Sequence, residues 1–115
     1  MSLLVTEYLG HIYKKANYLT RRLANVSREE FQADETLQRA CVRSLEVIGE
    51  ATKRVPDDFR HQYPQVDWRG MAGMRDRLIH DYLGADYDIV WDVLMKKVPP
   101  LATEIERIVR DEEQA

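Results

Sequence analysis

The feature that most constrains the fold is the spacing of apolar residues, which recur every three or four positions over long stretches. The clearest stretch spans residues 34–55, where one face would carry Leu37, Cys41, Leu45, Ile48, Ala51 and Val55. This spacing follows the 3.6-residue turn of an α-helix and not the two-residue alternation of a strand. It predicts a long amphipathic helix that ends before Pro56, since the residue before a proline disfavours helical backbone.

The same periodicity predicts helices on the N-terminal side. A first amphipathic helix is expected over residues 2–24. Ser27 followed by Glu30 has the form of a capping box, which would open a short helical turn ending before Asp34.

The C-terminal half predicts further helical segments. A short helix or turn is expected over residues 57–63, and a longer helix over residues 67–83, closed by Gly84. Asp86 is in position to cap the next helix. The two prolines at 99–100 are expected to interrupt the chain before a last helix, and the acidic end is expected to fray into a solvated tail. That last helix would bury Leu101, Ile105, Ile108 and Val109.

Composition agrees with a helical chain of one domain. Only 5 glycines and 4 prolines occur in 115 residues, too few for the many turns of an all-β protein. This length suits one hydrophobic core, and no linker or repeat divides it. We therefore predict an all-α, antiparallel bundle of four to five helices over residues 1–115.

Charge and cysteine content narrow the classes of function. No apolar run reaches the roughly 18 residues of a membrane span, and the N-terminus has no secretory pattern, so a cytoplasmic protein without membrane contact is expected. The single Cys41 is expected to serve packing. A net charge of −3 argues against nucleic-acid binding by bulk electrostatics, so any RNA contact must be local. The densest basic stretch is residues 53–77.

The predicted helix over residues 67–83 carries an arginine in its apolar stripe. On an ideal helical wheel, Trp68, Met71, Ile79 and Tyr82 fall within about 40° of Arg75. A guanidinium keeps its charge and is costly to bury alone, so Arg75 needs a carboxylate, a bound phosphate or a cleft. The alternative is a structural arginine that pairs with an internal carboxylate far from any cleft.

His80 lies about 140° around the same wheel from Arg75. Either Arg75 reaches around the helix, or two copies of the helix form a composite site across a two-fold axis. Gly73 is close to His80 on the wheel and would let a neighbouring backbone approach. This pattern favours a homodimer. An ordinary surface histidine is the alternative.

Residues 75–82, RDRLIHDY, have the order Arg-x4-His-x-Tyr. This order resembles the signature of the small HEPN proteins, and specifically of HepT, the toxin paired with the nucleotidyltransferase antitoxin MntA. The similarity covers nearly the whole chain. Its other landmarks are Gly49-Glu50-Ala51, Trp68, Trp91 and Val98-Pro99-Pro100-Leu101.

The resemblance implies a HEPN-like helical bundle that forms a homodimer or higher oligomer. It also implies a metal-independent endoribonuclease toxin without a cofactor, in which Arg75 and His80 are catalytic. Its partners would be RNA and a MntA-like antitoxin, which transfers AMP from ATP onto Tyr82. The residue after the motif arginine is often asparagine in such proteins. Asp76 stands there in this chain; it could hold Arg75 or His80 by charge but would repel an RNA phosphate.

These residue types suit RNA cleavage by the substrate's own 2′-hydroxyl. Histidine, with a pKa near 6.5, can take a proton from that hydroxyl and return one to the leaving oxygen. Arginine matches two phosphate oxygens with its planar fork. The three histidines lie far apart in sequence and have no zinc-ligand spacing, so no metal site is expected.

Two questions stay open at this point. Glu50 is a supporting candidate near the cleft, with a surface pair to Arg54, four residues on, as its alternative. The competing function is a non-catalytic HEPN dimer that binds a nucleotidyltransferase or a nucleotide.

Overall fold

All regular secondary structure in the described part of the chain is helical. A computed structural model describes residues 1–80 and 86–114, and for Ile79 and His80 it describes only the helical backbone. Within these residues there are seven α-helices and no strand: α1 (Leu3–Arg22), α2 (Arg28–Ala33), α3 (Glu35–Arg54), α4 (Asp57–Gln62), α5 (Trp68–His80), α6 (Tyr87–Lys96) and α7 (Val98–Gln114). Five have ten residues or more, and α2 and α4 have six each. The all-α prediction is confirmed.

Side-chain caps fix the helix starts where the sequence predicted them. The hydroxyl of Ser27 accepts a hydrogen bond from the Glu30 amide, and the Glu30 carboxylate accepts one from the Ser27 amide, which is a complete capping box. The carboxylates of Asp34 and Asp86 cap α3 and α6 more simply, by accepting hydrogen bonds from amides in the first turn of each helix. Asp67 accepts a hydrogen bond from the Gly70 amide at the start of α5. Each cap satisfies an amide that has no partner inside its helix.

The two prolines open α7 instead of preceding it. The helical structure is interrupted at Lys97, between the end of α6 and the start of α7. Because α7 begins at Val98, both prolines lie in its first turn. Proline is tolerated there because first-turn amides have no helical partner to lose. The expected interruption before Leu101 was therefore wrong by one turn.

The acidic end of the chain is also helical, in contrast to the predicted frayed tail. α7 continues to Gln114, and partial burial and the neighbouring Glu112 carboxylate raise the pKa of Tyr63. The acidic residues therefore belong to the helix, which is anchored by its buried Ile105 and Ile108. The predicted end of α5 at Leu83 and Gly84 lies outside the described residues.

The core is built around α3, which contacts α1 on one side and α5 on another. α7 packs against α1 and α6. The largest fully buried side chains are Phe31, Leu9, Ile12, Leu19, Leu45, Ile48, Leu94, Ile105 and Ile108. Burial of one such side chain is worth about 1.5–3 kcal/mol. None of the helices in the described ranges is long and apolar enough to span a bilayer.

Candidate functional site

The close approach of α3 and α5 at Gly49 determines where Arg75 lies. A Cβ atom built on Gly49 would lie 2.1 Å from the Cβ of Arg75 and 3.0 Å from the carbonyl oxygen of Met71. Atoms that are not bonded normally stay about 3.5–4.0 Å apart. Only glycine therefore allows this separation of the two helices, and the stem of Arg75 lies directly across the gap.

Two carboxylates hold the Arg75 guanidinium. Its Nε lies 3.1 Å from Oε2 of Glu50 on α3, and its Nη1 donates a hydrogen bond of 3.2 Å to Oδ1 of Asp76 on α5. The Arg75 side chain is 28% exposed. Its Nη2 group, which carries two N–H donors, is in neither ion pair. The Nε and Nη1 atoms are therefore held by carboxylates of the protein, and Nη2 can donate to a ligand.

Two further cations complete the cluster. Arg54 pairs with Glu50 at 3.3 Å, and Lys53 pairs with Asp76. The Lys53 ammonium, and after it the Arg75 guanidinium, lower the pKa of Asp76 below its ordinary value of 3.8. With three cations and two carboxylates, the cluster has an excess of one positive charge at neutral pH.

Arg75 faces a cavity of about 310 Å³ walled by α1, α3 and α5. A volume of this size falls at the lower end of small-ligand pockets. The α3 wall is apolar at Val47 and Ala51 and charged on both sides of them. The full lining consists of Tyr8, His11, Arg43, Glu46, Val47, Glu50, Ala51, Arg54 and Arg75.

The sequence-predicted residues are distributed as follows. Glu50 and Asp76 both contact Arg75, and Glu50 also makes its expected pair with Arg54. α5 is described as far as the backbone of His80. The side chain of His80 and the whole of Tyr82 lie outside the described part of the chain. The reading of Arg75 as paired with a carboxylate far from any cleft does not fit, because Arg75 lines the cavity.

Sequence reasoning missed the far wall of this cavity. Tyr8 and His11 come from α1, more than sixty positions before Arg75, and no local pattern connects them. Lys53 fell inside the basic stretch noted in the sequence, but its pairing with Asp76 depends on the packing of α3 against α5. Among the described side chains, no group of three His, Cys, Asp or Glu residues is arranged to hold a metal ion.

Comparison with known proteins gives one consistent family. The sequence profile described as "Ribonuclease HepT-like" matches residues 12–108. A protein of Caldanaerobacter subterraneus subsp. tengcongensis named "Putative RNase" is 44% identical over 105 residues, covering 91% of this chain and 94% of that protein.

Two archaeal proteins agree with this match. A Methanocaldococcus jannaschii protein, also named "Putative RNase", is 54% identical over 83 residues, which are 72% of this chain and 69% of that protein. The "Probable ribonuclease HepT" of Thermococcus cleftensis is 36% identical over 102 residues, covering 89% and 93% of the two chains. No solved structure matches the chain at the same level of significance.

Proposed function

Because this chain belongs to the HepT-like ribonuclease family, we propose that it is a metal-independent endoribonuclease that uses Arg75 and His80. The observation that carries the proposal is the setting of Arg75, a partly buried guanidinium on the wall of a cavity, with one donor group outside its two ion pairs. Such a group is suited to bind a phosphate with two hydrogen bonds.

In the proposed reaction the 2′-oxygen of the RNA attacks the adjacent phosphorus, and the bond from phosphorus to the 5′-oxygen breaks. His80 takes the proton from the 2′-hydroxyl and returns one to the leaving 5′-oxygen. Arg75 orients the phosphate and stabilises the charge that develops on it. The products are a 2′,3′-cyclic phosphate and a free 5′-hydroxyl.

Glu50 and Asp76 are proposed to position Arg75 without touching RNA. Together they fix Nε and Nη1, so the remaining donors keep one direction. Lys53 offsets the repulsion between Asp76 and a phosphate, because it pairs with the same carboxylate oxygen as Arg75.

A two-fold homodimer is proposed to complete the site. His80 lies about 140° around α5 from Arg75, so a second copy of α5 offers a route to a composite cleft. The face of α5 that carries the exposed Gly73 is the proposed contact between the two copies. A Cβ at Gly73 would meet nothing within 4 Å in a single chain, so this face is open to a second helix. Size-exclusion chromatography of Gly73→Leu should then show a weakened dimer, while Gly10→Leu, on the open face of α1, should not.

Regulation is proposed to follow the toxin–antitoxin arrangement of HepT and MntA. A nucleotidyltransferase antitoxin would attach AMP to Tyr82, which adds bulk and negative charge near the cleft and excludes RNA. Mass spectrometry after co-expression with a neighbouring transferase gene should find AMP on Tyr82. Modification of other residues alone would rule out this switch.

RNA cleavage in the presence of EDTA tests the proposal. Wild-type protein should cut, and Arg75→Ala and His80→Ala should each lower the rate by about 100-fold or more. Arg107→Ala is the control, because Arg107 is an exposed arginine on α7 that pairs with Glu104. Circular dichroism should show all three variants folded. Equal cleavage by Arg75→Ala and wild type would refute the proposal.

A second function is favoured by two features of the Arg75 site. The two carboxylates that hold Arg75 would compete with a phosphate for it, and Asp76 stands where asparagine is common. These features suit a non-catalytic HEPN dimer that binds a nucleotidyltransferase or a nucleotide. In that case wild-type protein would bind the transferase but leave RNA intact.

A further inference from the structure

The net charge of the chain conceals a strong segregation of charge among its helices. The three helices that wall the cavity carry eleven Lys and Arg residues against five Asp and Glu residues, a formal charge of +6. Since the whole chain is −3, the remainder carries −9. The excess of basic residues therefore lies on the same three helices that wall the cavity, and α7, with its acidic C-terminal turns, lies outside the cavity wall.

The rest of the cavity lining combines an aromatic ring with cations. Tyr8 is half-buried and packs against the core, which holds its ring in place. Arg43 on α3 is a largely exposed lining residue, and its only carboxylate contact among the described residues is a long one of 3.4 Å to Glu46. His11 completes this side. An aromatic ring beside cationic side chains is an arrangement that can bind an unpaired nucleotide.

Building on the proposed ribonuclease function, we propose that the cavity seats one unpaired nucleotide of single-stranded RNA next to the phosphate held by Arg75. The base stacks on Tyr8 over the apolar floor of Val47 and Ala51. Arg43 and Arg54 bind the flanking phosphates. Glu46 and Glu50 do not prevent this binding, because the lining carries three arginines against these two carboxylates and keeps an excess of positive charge.

The same side of the molecule offers a path for the rest of the strand. Lys15 and Arg22 lie within about 40° of Tyr8 around α1, and Arg22 approaches Cys41 on α3, so α1 and α3 run antiparallel here. Arg39 continues the line of Arg43 on α3. The strand would follow the groove between α1 and α3 towards Arg75. Because a base must leave its stack to enter the cavity, single-stranded RNA should bind better than a duplex.

Binding can be separated from cleavage with a non-cleavable probe. A short fluorescein-labelled 2′-O-methyl oligonucleotide lacks the attacking hydroxyl, so its Kd for the wild-type protein can be measured by fluorescence anisotropy. We expect Tyr8→Ala to raise this Kd about tenfold and Tyr8→Phe, which keeps the ring, to leave it nearly unchanged. Arg43→Ala should weaken binding and reduce the dependence of Kd on salt by about one phosphate contact. Arg107→Ala is again the control.

The Kd values of the two alanine variants test the nucleotide site. If Tyr8→Ala fails to fold, Arg43→Ala still gives a test, because Arg43 is on the surface and its replacement should not disturb the core. Unchanged Kd values in both alanine variants would overturn it, as would an oligonucleotide that does not bind wild-type protein. Cleavage of unmodified RNA, measured on the same samples, tests the nuclease separately. Cleavage with unchanged Kd values would leave the nuclease and remove the nucleotide site. A Kd that rises in Tyr8→Ala, without cleavage by wild-type protein, would support the nucleotide site and refute the nuclease.

Discussion

Replacement of Gly49 by alanine tests how closely α3 and α5 pack against each other at this position. The added Cβ would lie 2.1 Å from the Cβ of Arg75 and 3.0 Å from the Met71 carbonyl oxygen. Neither atom is at the free end of a side chain, so rotation of a side chain cannot relieve the contact. The helices must move apart by about 1 Å or more to restore a normal separation.

The expected loss of stability is the difference between two opposing terms. Overpacking a tight interface costs about 1–3 kcal/mol. Alanine gains about 1 kcal/mol over glycine in a helix interior. Because the clash involves backbone and Cβ atoms, the cost should be near the upper end, which leaves a net destabilisation of about 1–2 kcal/mol. With an unfolding entropy of about 2.1 cal/mol/K per residue, this lowers Tm by roughly 4–8 °C.

Gly10→Ala is the matched control for this experiment. Gly10 also lies inside a long helix, but a Cβ there would meet nothing within 4 Å. Thermal unfolding followed by circular dichroism should therefore show Tm moving in opposite directions, down for Gly49→Ala and up by a few degrees for Gly10→Ala. RNA cleavage should also fall in Gly49→Ala, since Arg75 moves with α5.

A double variant identifies the clashing partner. In an Arg75→Gly background, Gly49→Ala no longer meets a Cβ on α5, so its destabilisation should shrink. If Gly49→Ala instead raised Tm as much as Gly10→Ala does, the close approach of the helices, and with it the account of how Arg75 is held, would be refuted.

Three further predictions concern charge, the buried thiol and a helix cap. Since Lys53 lowers the pKa of Asp76, the stabilisation by this carboxylate is present above pH 3.8 and is lost as pH falls below it. Asp76→Asn should therefore unfold at a slightly lower temperature than wild-type protein at pH 7, and the two proteins should unfold at the same temperature once the pH is low enough to protonate Asp76. Burial raises the pKa of Cys41 from 9.0 to about 11, so iodoacetamide at pH 8 should label native protein far more slowly than unfolded protein. The free energy of unfolding should also fall as pH rises from 9.0 towards 11, and this part of the slope should be absent in Cys41→Ala. Ser27→Ala removes half of a capping box and should cost about 1 kcal/mol in urea denaturation, whereas equal midpoints would show that α2 does not need the cap.

Much of the fold could be predicted because its signals are local. The apolar period of residues 34–55 and the caps at Ser27, Asp34 and Asp86 act within a few residues of themselves, so the sequence suffices to locate them. The errors were at the start and end of α7. A proline pair is compatible with both a break and a first turn, and only packing of the neighbouring residues selects between them.

The site was predictable in its composition but not in its assembly. The position of Arg75 in an apolar stripe already called for a carboxylate, a bound phosphate or a cleft, and Glu50 was one of several carboxylates that could supply the first. The contact between them depends on the close packing of α3 and α5 at Gly49, which a helical wheel of one segment does not include. The sequence identified Gly49 as part of a family landmark, but it did not predict that the packing of α5 requires a glycine there.

By itself, the sequence determined which segments are helical, which face of each helix is buried, and that an arginine had to be accommodated among apolar residues. Those properties arise from hydrogen bonding and side-chain spacing along a single segment. Only the tertiary structure decided that Glu50 and Asp76 share the Arg75 guanidinium and that the basic helices α1, α3 and α5 surround one cavity. Apart from the local pair of Arg75 and Asp76, these contacts join residues distant in sequence, so they depend on how closely the packed helices approach one another.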